Sequence, residues 1–320
     1  MVVATGVEEL VVAVSPGRVL SRKPPPPVRS PRRPLIAAWR VRKGECLMNT
    51  AAQKAETFRA LHAAPGSFVI ANAWDAGSAK LLRGLGFAAL ATSSGAQANV
   101  LGTVDGAVTR DEALTHAKGI VDAVDLPVSA DLEKCFADRP DEAAQTIAMA
   151  AEIGLAGASI EDATGDPAKP LYDAEFAAER VGAAAAAARK VGFPFVLTAR
   201  TESFLRGTTD LADVIRRLRA FEAAGADVLM APGLPDLDAV RAVCAAVTKP
   251  VNFMAGIPGR SFTVAELTGV GVKRISLASS LFRAAMSSVM TAATEVRDRG
   301  TFTYLDHTLP ASEWNRFMVR

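Results

Sequence analysis

The sequence predicts an α/β protein folded as a (β/α)8 barrel of the TIM type, with eight parallel strands. Eight short apolar runs alternate with helical patterns between residues 67 and 300. The runs are apolar throughout, which is typical of parallel strands buried on both faces. About 250 residues is the usual size of such a barrel, and the chain has 320. An open, doubly wound sheet is the alternative, but no G-x-G-x-x-G fingerprint follows the first strand.

The predicted strands and helices follow one another in a regular order. The strands cover residues 67–75, 88–94, 127–133, 157–162, 195–201, 227–232, 250–255 and 274–280. The helical patterns cover residues 48–62, 76–86, 110–124, 141–154, 211–225, 236–247 and 280–300. The first helix opens at Thr50, a good N-cap residue, and several later ones end in glycine, as helix C-termini commonly do.

Residues 1–47 differ in composition from the rest of the chain. They contain seven prolines, nine Lys or Arg and three Asp or Glu, with one short apolar run. Such a segment cannot bury enough nonpolar surface to fold, so we expect a disordered, basic, Pro-rich extension. Met48 is the expected natural start, and an Arg-rich targeting peptide is the alternative. Residues 48–320 then form one barrel domain with a C-terminal helix and tail.

The composition of residues 48–320 argues against several classes of protein. They carry 27 Lys or Arg and 31 Asp or Glu, so the domain is mildly acidic and no nucleic-acid surface is expected. No window approaches the roughly 18 uninterrupted apolar residues of a membrane span. Cys46, Cys135 and Cys244 are far apart and fit neither a disulfide framework nor a zinc site. A reducing cytoplasm is the expected location.

Acidic residues collect at the carboxyl ends of the predicted strands, where (β/α)8 enzymes place their chemistry. Asp131 and Glu133 end the third strand, Glu161 lies at the end of the fourth, and Asp105 follows the second. Residues two apart on a strand point to the same face, and crowded carboxylates need a cation. Carboxylate oxygens without His or Cys are the ligands of Mg²⁺ or Mn²⁺, so we predict such a site. Pairing with Lys or Arg, or exposure to water, is the alternative.

Two further features at the strand ends could bind a substrate. Arg200 lies at the end of the fifth strand, and its planar guanidinium suits a carboxylate or phosphate; an ion pair with Glu161 or Glu202 is the alternative. The stretch ATSSGAQA (91–98) offers successive backbone N–H groups and two hydroxyls in a tight turn, which could be an anion nest or an ordinary loop. Cys135 is a possible nucleophile, although buried or loop thiols are more often inert.

Four ordered motifs resemble the isocitrate lyase/phosphoenolpyruvate mutase superfamily, in its methylisocitrate lyase-like and carboxyphosphonoenolpyruvate mutase-like branch. The motifs are ATSSGAQANVLGTVDGAVTRDE (91–112), VSADLE (128–133), ASIEDATGD (158–166) and LTARTES (197–203). The resemblance runs from about residue 50 to residue 290. It implies a (β/α)8 barrel, a Mg²⁺ site and a small 2-oxo or 2-hydroxy acid substrate. It also implies a homo-oligomer, a dimer or a tetramer in which the last helix is often exchanged.

The resemblance also implies which residues form the site. The metal site would contain four acidic residues, with Asp131 as the direct ligand and its water ligands held by Asp105, Glu133 and Glu161. The substrate carboxylate would be bound by Ser93, Ser94 and Gly95. Arg200 would bind the oxyanion, and Asn252 would bind a second carboxylate. The residues implied to take part in catalysis are Arg200 and Glu161.

Three departures from the family pattern bear on the reaction. Lyases of this family carry a Lys-Lys/Arg-Cys-Gly-His stretch after strand four, whose Cys acts as acid/base, and the corresponding ATGDPAKPLYD (163–173) has neither Cys nor His. A glutamate that many of them carry after strand six is replaced by APGL (231–234). Lys134-Cys135-Phe136 stands where the family has Gly-Tyr-Gly, so a different local backbone is expected. These departures argue against cleavage of isocitrate or methylisocitrate.

The predicted function is therefore a Mg²⁺-dependent lyase that cleaves a C–C bond in a small 2-oxo or 2-hydroxy (di)carboxylate through a metal-stabilised enolate. Oxaloacetate decarboxylation and dimethylmalate-type cleavage are examples of such reactions. One alternative is a C–P bond mutase or hydrolase that acts on a phosphonopyruvate-like substrate. Others are a catalytically silent carboxylate-binding barrel and a phosphate-binding barrel.

Overall fold

The computed structural model describes residues 49–260 and 262–319, which contain one closed barrel of eight parallel strands surrounded by helices. The strands are β1 (Phe68–Asn72), β2 (Leu90–Ala91), β3 (Val128–Asp131), β4 (Gly157–Glu161), β5 (Val196–Arg200), β6 (Val228–Met230), β7 (Val251–Met254) and β8 (Arg274–Ser276). Neighbours in the chain are neighbours in the sheet, and β8 closes on β1. The predicted (β/α)8 fold is confirmed. The extension predicted over residues 1–47 lies outside the described residues.

Every predicted strand is present, although each is shorter than its apolar run. The largest consequence concerns β3, which ends at Asp131 and not at Glu133 as predicted. The register places Glu161 of β4 beside Arg200 of β5, and Asp131 of β3 beside Ser159 of β4. Polar residues of β3, β4 and β5 therefore lie side by side at the carboxyl end of the barrel.

The helices of the described residues include all seven predicted segments. They are α1 (Ala51–Ala63), α2 (Ala76–Gly84), α3 (Ser94–Val100), α4 (Arg110–Ala123), α5 (Pro140–Glu152), α6 (Ala174–Arg189), α7 (Leu211–Ala224), α8 (Leu237–Ala246), α9 (Val264–Gly269), α10 (Ser280–Arg299) and α11 (Ala311–Met318). Short 3₁₀ helices cover Ser203–Arg206 and Thr303–His307. No helix in this part of the chain has the length and apolar character needed to cross a membrane.

Side-chain caps fix where several helices begin. Thr50, Thr109 and Thr263 each form a capping box with the residue three positions later, so that two free N–H groups are satisfied at once. The predicted N-cap role of Thr50 is thereby confirmed. Loss of such a cap commonly costs about 1 kcal/mol of stability, so each threonine helps to fix the residue at which its helix begins.

Helix α1 packs against the barrel in a nonpolar cluster at the amino-terminal side of the strands. In this cluster Phe58 is fully buried together with Ile70 of β1 and Val196 of β5. A Cβ atom at Gly157 would come within 2.5 Å of the Val196 carbonyl oxygen and 3.0 Å of the Phe58 ring. Glycine is therefore required at this point, where α1 and two strands approach closely.

The end of the chain folds back onto helix α2. The Phe317 ring of α11 lies over Gly84, where there is no room for a Cβ atom. The Lys80 ammonium donates to the Met318 carbonyl oxygen at 3.1 Å, and the Arg83 guanidinium donates to the Val319 carbonyl oxygen at 3.2 Å. These contacts hold the C-terminal tail against the outside of the barrel.

Candidate active site

A cavity of about 410 Å³ opens at the carboxyl end of the barrel. Its lining brings together eight of the nine predicted site residues with other residues of the strand ends and loops. The lining residues are Ser93, Ser94, Gly95, Asp105, Gly106, Asp131, Glu133, Glu161, Arg200, Glu202, Leu205, Arg206, Met254, Ala278 and Ser279. Another cavity, of about 370 Å³, is lined in part by α1 and the starts of strands, and it has a single carboxylate, Asp227. The clustered acidic groups make the first cavity the candidate active site.

Asp131 lies at the centre of the acidic group, at the end of β3. Its carboxylate accepts long hydrogen bonds from the Ser94 N–H at 3.3 Å, the Ser159 hydroxyl at 3.3 Å and the Glu133 N–H at 3.4 Å. The Arg200 guanidinium is 3.5 Å from the same carboxylate. Ala130 on the preceding position is buried in the nonpolar core. Strand alternation thus directs Asp131 towards the cavity, as predicted.

Glu133 reaches the same cavity by a different route from the one predicted. The strand has already ended, and Glu133 adopts a left-handed backbone conformation with φ of 49°. Cys135 and Phe136 are also left-handed, with φ of 61° and 56°. Glycine adopts this region readily, but other residues are less stable there. The turn after β3 therefore needs stabilising contacts with the residues around it.

Arg180 of α6 supplies much of that support from inside the protein. This residue is 1% exposed, and its guanidinium donates to four backbone carbonyl oxygens. These acceptors are Lys134 at 2.5 Å, Ala137 at 2.7 Å, Asp138 at 3.0 Å and Glu161 at 3.1 Å. Arg180 therefore ties the turn after β3 to the end of β4, although neither its position nor its spacing in the sequence indicated this role.

Arg200 is surrounded by carboxylates on three sides. Its Nη2 contacts Glu161 Oε2, its Nε lies 2.7 Å from Glu202 Oε1, and its Nη1 lies 3.5 Å from Asp131 Oδ1. The side chains of Glu161 and Glu202 are only 7% and 3% exposed. The ion pairs with Glu161 and Glu202, which were the alternative reading of Arg200, are thus present in the structure.

The acidic groups outnumber the positive charge that Arg200 supplies. Burial, reinforced by repulsion from Asp131 and Asp105, raises the pKa of Glu133 to about 7. Burial also raises the pKa of Glu161, although Arg200 opposes this shift. These raised pKa values mean that burial and neighbouring carboxylates disfavour the ionised forms of Glu133 and Glu161. A bound cation would favour the ionised forms.

The residues fit a divalent metal that keeps most of its water ligands. The donor set is made of carboxylates, which suits Mg²⁺ or Mn²⁺. Among residues 49–260 and 262–319, no three His, Cys, Asp or Glu side chains form a ready-made cluster around one ion. Mg²⁺ commonly binds through one or two carboxylates and retains several waters. The arrangement is therefore compatible with Asp131 as a direct ligand and with Asp105, Glu133 and Glu161 as acceptors for metal-bound water.

Residues 93–95, predicted as a tight turn, are instead the N-cap and the first two residues of helix α3, and they lie next to this acidic group. The Ser93 hydroxyl caps α3 by accepting from the Ala96 N–H at 3.4 Å, and the Ser94 N–H points to Asp131. A Cβ atom at Gly95 would lie 3.3 Å from Asp105 Oδ2, so the Asp105 carboxylate packs directly against the glycine. The absence of a side chain at Gly95 therefore sets how closely Asp105 approaches the start of helix α3.

Asn252 is the one predicted site residue that does not line the cavity. It is 1% exposed and lies in the barrel interior. Its amide oxygen accepts from Arg274 Nε at 2.8 Å, and its amide nitrogen donates to the Ser276 hydroxyl at 3.0 Å. Both ends of this amide are thus engaged with neighbouring strands. Binding of a second substrate carboxylate by Asn252 remains a prediction from the resemblance.

Cys135 is poorly placed to act as a nucleophile or a proton donor. It is fully buried in the nonpolar core and is not among the cavity-lining residues. Burial raises the pKa of its thiol to about 12. A thiol in this state is inert at neutral pH, because the thiolate is the reactive form.

A closed parallel barrel with a cavity at the carboxyl ends of its strands places the protein in the class of (β/α)8 barrels, whose enzymes carry their active sites at this end. The chain belongs to the phosphoenolpyruvate phosphomutase family, whose sequence model matches residues 58–297. It is thereby a member of the isocitrate lyase/phosphoenolpyruvate mutase superfamily, as the four motifs predicted. Members of this superfamily are generally dependent on a divalent metal.

Comparison with individual proteins supports the same assignment. A Burkholderia cenocepacia J2315 protein provisionally assigned as a lyase/mutase is 49% identical, with a TM-score of 0.82 over 83% of this chain and 96% of the other. A provisionally assigned phosphonomutase of the same organism is 36% identical, with a TM-score of 0.71 over 77% and 99% of the two chains. The 2-methylisocitrate lyase of Salmonella typhimurium is 29% identical over 77% of this chain and 85% of its own. The relatives thus include both lyases and mutases.

Proposed function

We propose that this protein is a Mg²⁺-dependent lyase that cleaves a C–C bond in a small 2-oxo or 2-hydroxy acid. The observation that carries the proposal is the convergence of Asp105, Asp131, Glu133 and Glu161 on one cavity beside residues 93–95. These residues come from three separate segments of the chain, which contain Asp105, Asp131 with Glu133, and Glu161. Their common position supports a site for one metal ion and one small carboxylate.

Each group has a task in this proposal. Asp131 would hold the ion, and Asp105, Glu133 and Glu161 would hold its water ligands. When bound, the ion supplies positive charge that stabilises the enolate formed when the C–C bond breaks. The substrate carboxylate would be oriented by Ser93, Ser94 and Gly95. It would then lie close to the acidic group, because the Ser94 N–H contacts Asp131.

Proton transfer in this proposal involves Glu161 rather than a cysteine. Glu161 lines the cavity, and its carboxyl group is the one that we assign to proton transfer. Arg200 contacts Glu161 and lies at the cavity wall, where it keeps the carboxylate oriented. The loop at residues 163–173 has no Cys or His that could replace it.

The direct test is a turnover assay of the purified protein with a panel of 2-oxo and 2-hydroxy acids and phosphonates in the presence of Mg²⁺. We expect product formation that is lost with EDTA and restored by Mg²⁺. Asp131→Ala should abolish turnover, since removal of an oxyanion stabiliser commonly costs several kcal/mol of barrier. Normal turnover by Asp131→Ala, or full activity in EDTA, would overturn the proposal.

A C–P bond mutase or hydrolase is the second candidate, favoured by the 36% identity to the Burkholderia phosphonomutase. The same cavity would serve, because a phosphonopyruvate-like substrate has the same 2-oxo acid end. Phosphonates in the substrate panel decide between the two reactions. A Mg²⁺-dependent thermal shift with pyruvate but no turnover of any substrate would instead indicate a carboxylate-binding barrel.

A homo-oligomer is part of the proposal, with helix α10 as the contact surface. Met286, Val289 and Met290 on this helix are 38%, 57% and 70% exposed. Large nonpolar side chains grouped on one exposed helix are typical of protein–protein contacts. Light scattering coupled to size-exclusion chromatography should give the mass of a dimer or tetramer, and Met290→Glu should lower it; a monomeric wild-type protein would contradict this part.

A further inference from the structure

Two basic side chains, Arg200 and Arg206, are found among the described residues that line the active-site cavity. They differ in how far their charge is already compensated. Arg200 is 13% exposed and touches three carboxylates. Arg206 is 44% exposed, and the acidic group it approaches, Glu202 Oε2, is 3.8 Å away. The guanidinium of Arg206 can therefore bind a further anionic group, such as one on a ligand.

Glu202 is an incomplete partner for Arg206, because it is already committed elsewhere. Its Oε1 lies 2.7 Å from Arg200 Nε, and its backbone N–H donates to Asp162 at 2.8 Å. The side chain of Glu202 is 3% exposed, whereas that of Arg206 is 44% exposed. A planar guanidinium offers five donors, and the geometry leaves most of those of Arg206 free for a ligand.

The backbone that carries Arg206 is held firmly at the edge of the cavity. Its N–H donates to the Glu202 carbonyl oxygen at 2.9 Å within the 3₁₀ helix Ser203–Arg206. Gly207 ends this helix in the left-handed region with φ of 89°. On the other side, a Cβ at Gly233 would lie 3.1 Å from Phe204 Cβ, so the loop after β6 packs closely against the helix. Arg206 thus projects from a fixed support.

Nonpolar groups line the same cavity as Arg206. Leu205 is 43% exposed, and Met254 at the end of β7 lines the same cavity. The acidic group and residues 93–95 form the polar part of the lining. A ligand that fits this distribution has a 2-oxo or 2-hydroxy acid end, a short carbon chain and a second anionic end.

We propose that Arg206 binds the distal carboxylate of the substrate and thereby makes the enzyme selective for dicarboxylates. This inference rests on the proposed function, because the near end of the substrate is defined by it. A guanidinium recognises a carboxylate through paired, charge-assisted hydrogen bonds. The resemblance implies Asn252 for the second carboxylate, but this residue is buried and both ends of its amide are already hydrogen-bonded.

The experiment compares matched acids that differ only in the distal carboxylate. Binding of lactate and malate, and of pyruvate and oxaloacetate, is measured by calorimetry with Mg²⁺ present. For Arg206→Gln we expect malate and oxaloacetate to bind about tenfold or more weakly, since hydrogen bonds to charged groups are the stronger class. Lactate and pyruvate should bind as they do to the wild type. Arg206→Lys keeps the charge and should recover part of the lost affinity.

Arg216→Gln is the control for a general loss of positive charge, because Arg216 lies on the exposed surface of α7 and pairs with Asp213. It should leave all four affinities unchanged. Equal weakening of mono- and dicarboxylates by Arg206→Gln, or no weakening at all, overturns the role of Arg206 while the proposed function stands. Failure of all four acids to bind the wild type with Mg²⁺ overturns both. Phosphonopyruvate is measured in the same way, and a larger loss for it than for the dicarboxylates would assign the distal group as a phosphonate and overturn the dicarboxylate assignment.

Discussion

Glu161 and Arg200 are register partners on β4 and β5, and their side chains form an ion pair in the lining of the acidic cavity. The same guanidinium contacts Glu202 and Asp131, so one cation serves three carboxylates. Coulombic attraction to these carboxylates outweighs burial and raises the pKa of Arg200 well above its ordinary value. The stability of the barrel therefore depends on whether the carboxyl groups around Arg200 are ionised.

Replacement of Arg200 should destabilise the protein in a pH-dependent way. Arg200→Gln removes the cation from buried Glu161 and Glu202, and the loss of one partner of a buried pair commonly costs about 3–5 kcal/mol. The cost should be larger at pH 8 than at pH 5, because protonation relieves the unpaired carboxylates. Urea unfolding at both pH values measures it. Arg216→Gln, which removes an exposed pair, should cost about 0–1 kcal/mol; equal effects of the two variants would contradict this account.

The metal-free protein should become less stable as the pH rises from about 5 to about 7. The pKa of Glu133 in the folded protein is about 7, above the roughly 4.3 of an unfolded glutamate. Between these values the folded state still holds a proton that the unfolded state has released, so the free energy of unfolding falls with increasing pH. Melting temperatures in EDTA across this range should show the decline.

Mg²⁺ should cancel or reverse this decline, because it favours the ionised carboxylates and its binding releases protons. Glu133→Gln provides the matched comparison, since it has no carboxyl group to titrate. Its melting temperature in EDTA should depend less on pH than that of the wild type. A wild-type melting temperature in EDTA that rises across the same range would be inconsistent with the raised pKa.

Arg180 should be necessary for the metal site although it does not line the cavity. Arg180→Met removes donors from four backbone carbonyl oxygens, of which that of Glu161 is in a buried hydrogen bond, and an unsatisfied buried group costs about 1–3 kcal/mol. We expect a large loss of stability in urea and weaker Mg²⁺ binding by calorimetry. Arg180→Lys keeps the charge but not the planar fork, so it should recover only part of both. Mg²⁺ affinity unchanged in folded Arg180→Lys would show that the turn holds its shape without Arg180.

Gly95 should control metal affinity through Asp105. Gly95→Ala places a methyl group 3.3 Å from the Asp105 carboxylate, which must shift by a few tenths of an ångström. We expect Mg²⁺ to bind several-fold more weakly with little change in stability. Gly119→Ala is the matched control, because a Cβ there meets open space on α4. It should bind Mg²⁺ normally and gain about 0.5–1 kcal/mol of stability, the usual helix effect of this exchange.

Cys135 should neither react with thiol reagents in the folded protein nor take part in catalysis. The folded protein should not react at this position with a thiol reagent at pH 8, because the thiol is fully buried and its pKa is about 12. Unfolding in urea should expose it to reaction. Cys135→Ala should keep most of the turnover, since the thiol lies outside the cavity lining. Rapid labelling of native Cys135, identified by mass spectrometry, would contradict its assignment to the core.

The sequence predicted the architecture well because the signals for it are local. Continuous apolar runs separated by helical patterns indicate buried parallel strands, and all eight strands and all seven predicted helices are present. Parallel strands also end at one edge of the barrel, so Asp131, Glu161 and Arg200 could be expected together from their positions alone. Helices α3, α6, α9 and α11 were not predicted: α3 and α9 are short, α6 is rich in alanine, and α11 lies in the segment expected to be a tail.

The details of the site were decided by contacts between segments that are distant in the chain. Arg180 lies 46 residues from Lys134 yet bonds to its carbonyl oxygen, and no periodicity marks such a contact. Glu133 enters the cavity through a left-handed turn that strand alternation does not describe. The sequence by itself determined a (β/α)8 barrel with carboxylates at its carboxyl end. Only the tertiary structure decided that Arg200 is already paired and Arg206 is exposed, because ion pairing depends on distances in space that residue order does not contain.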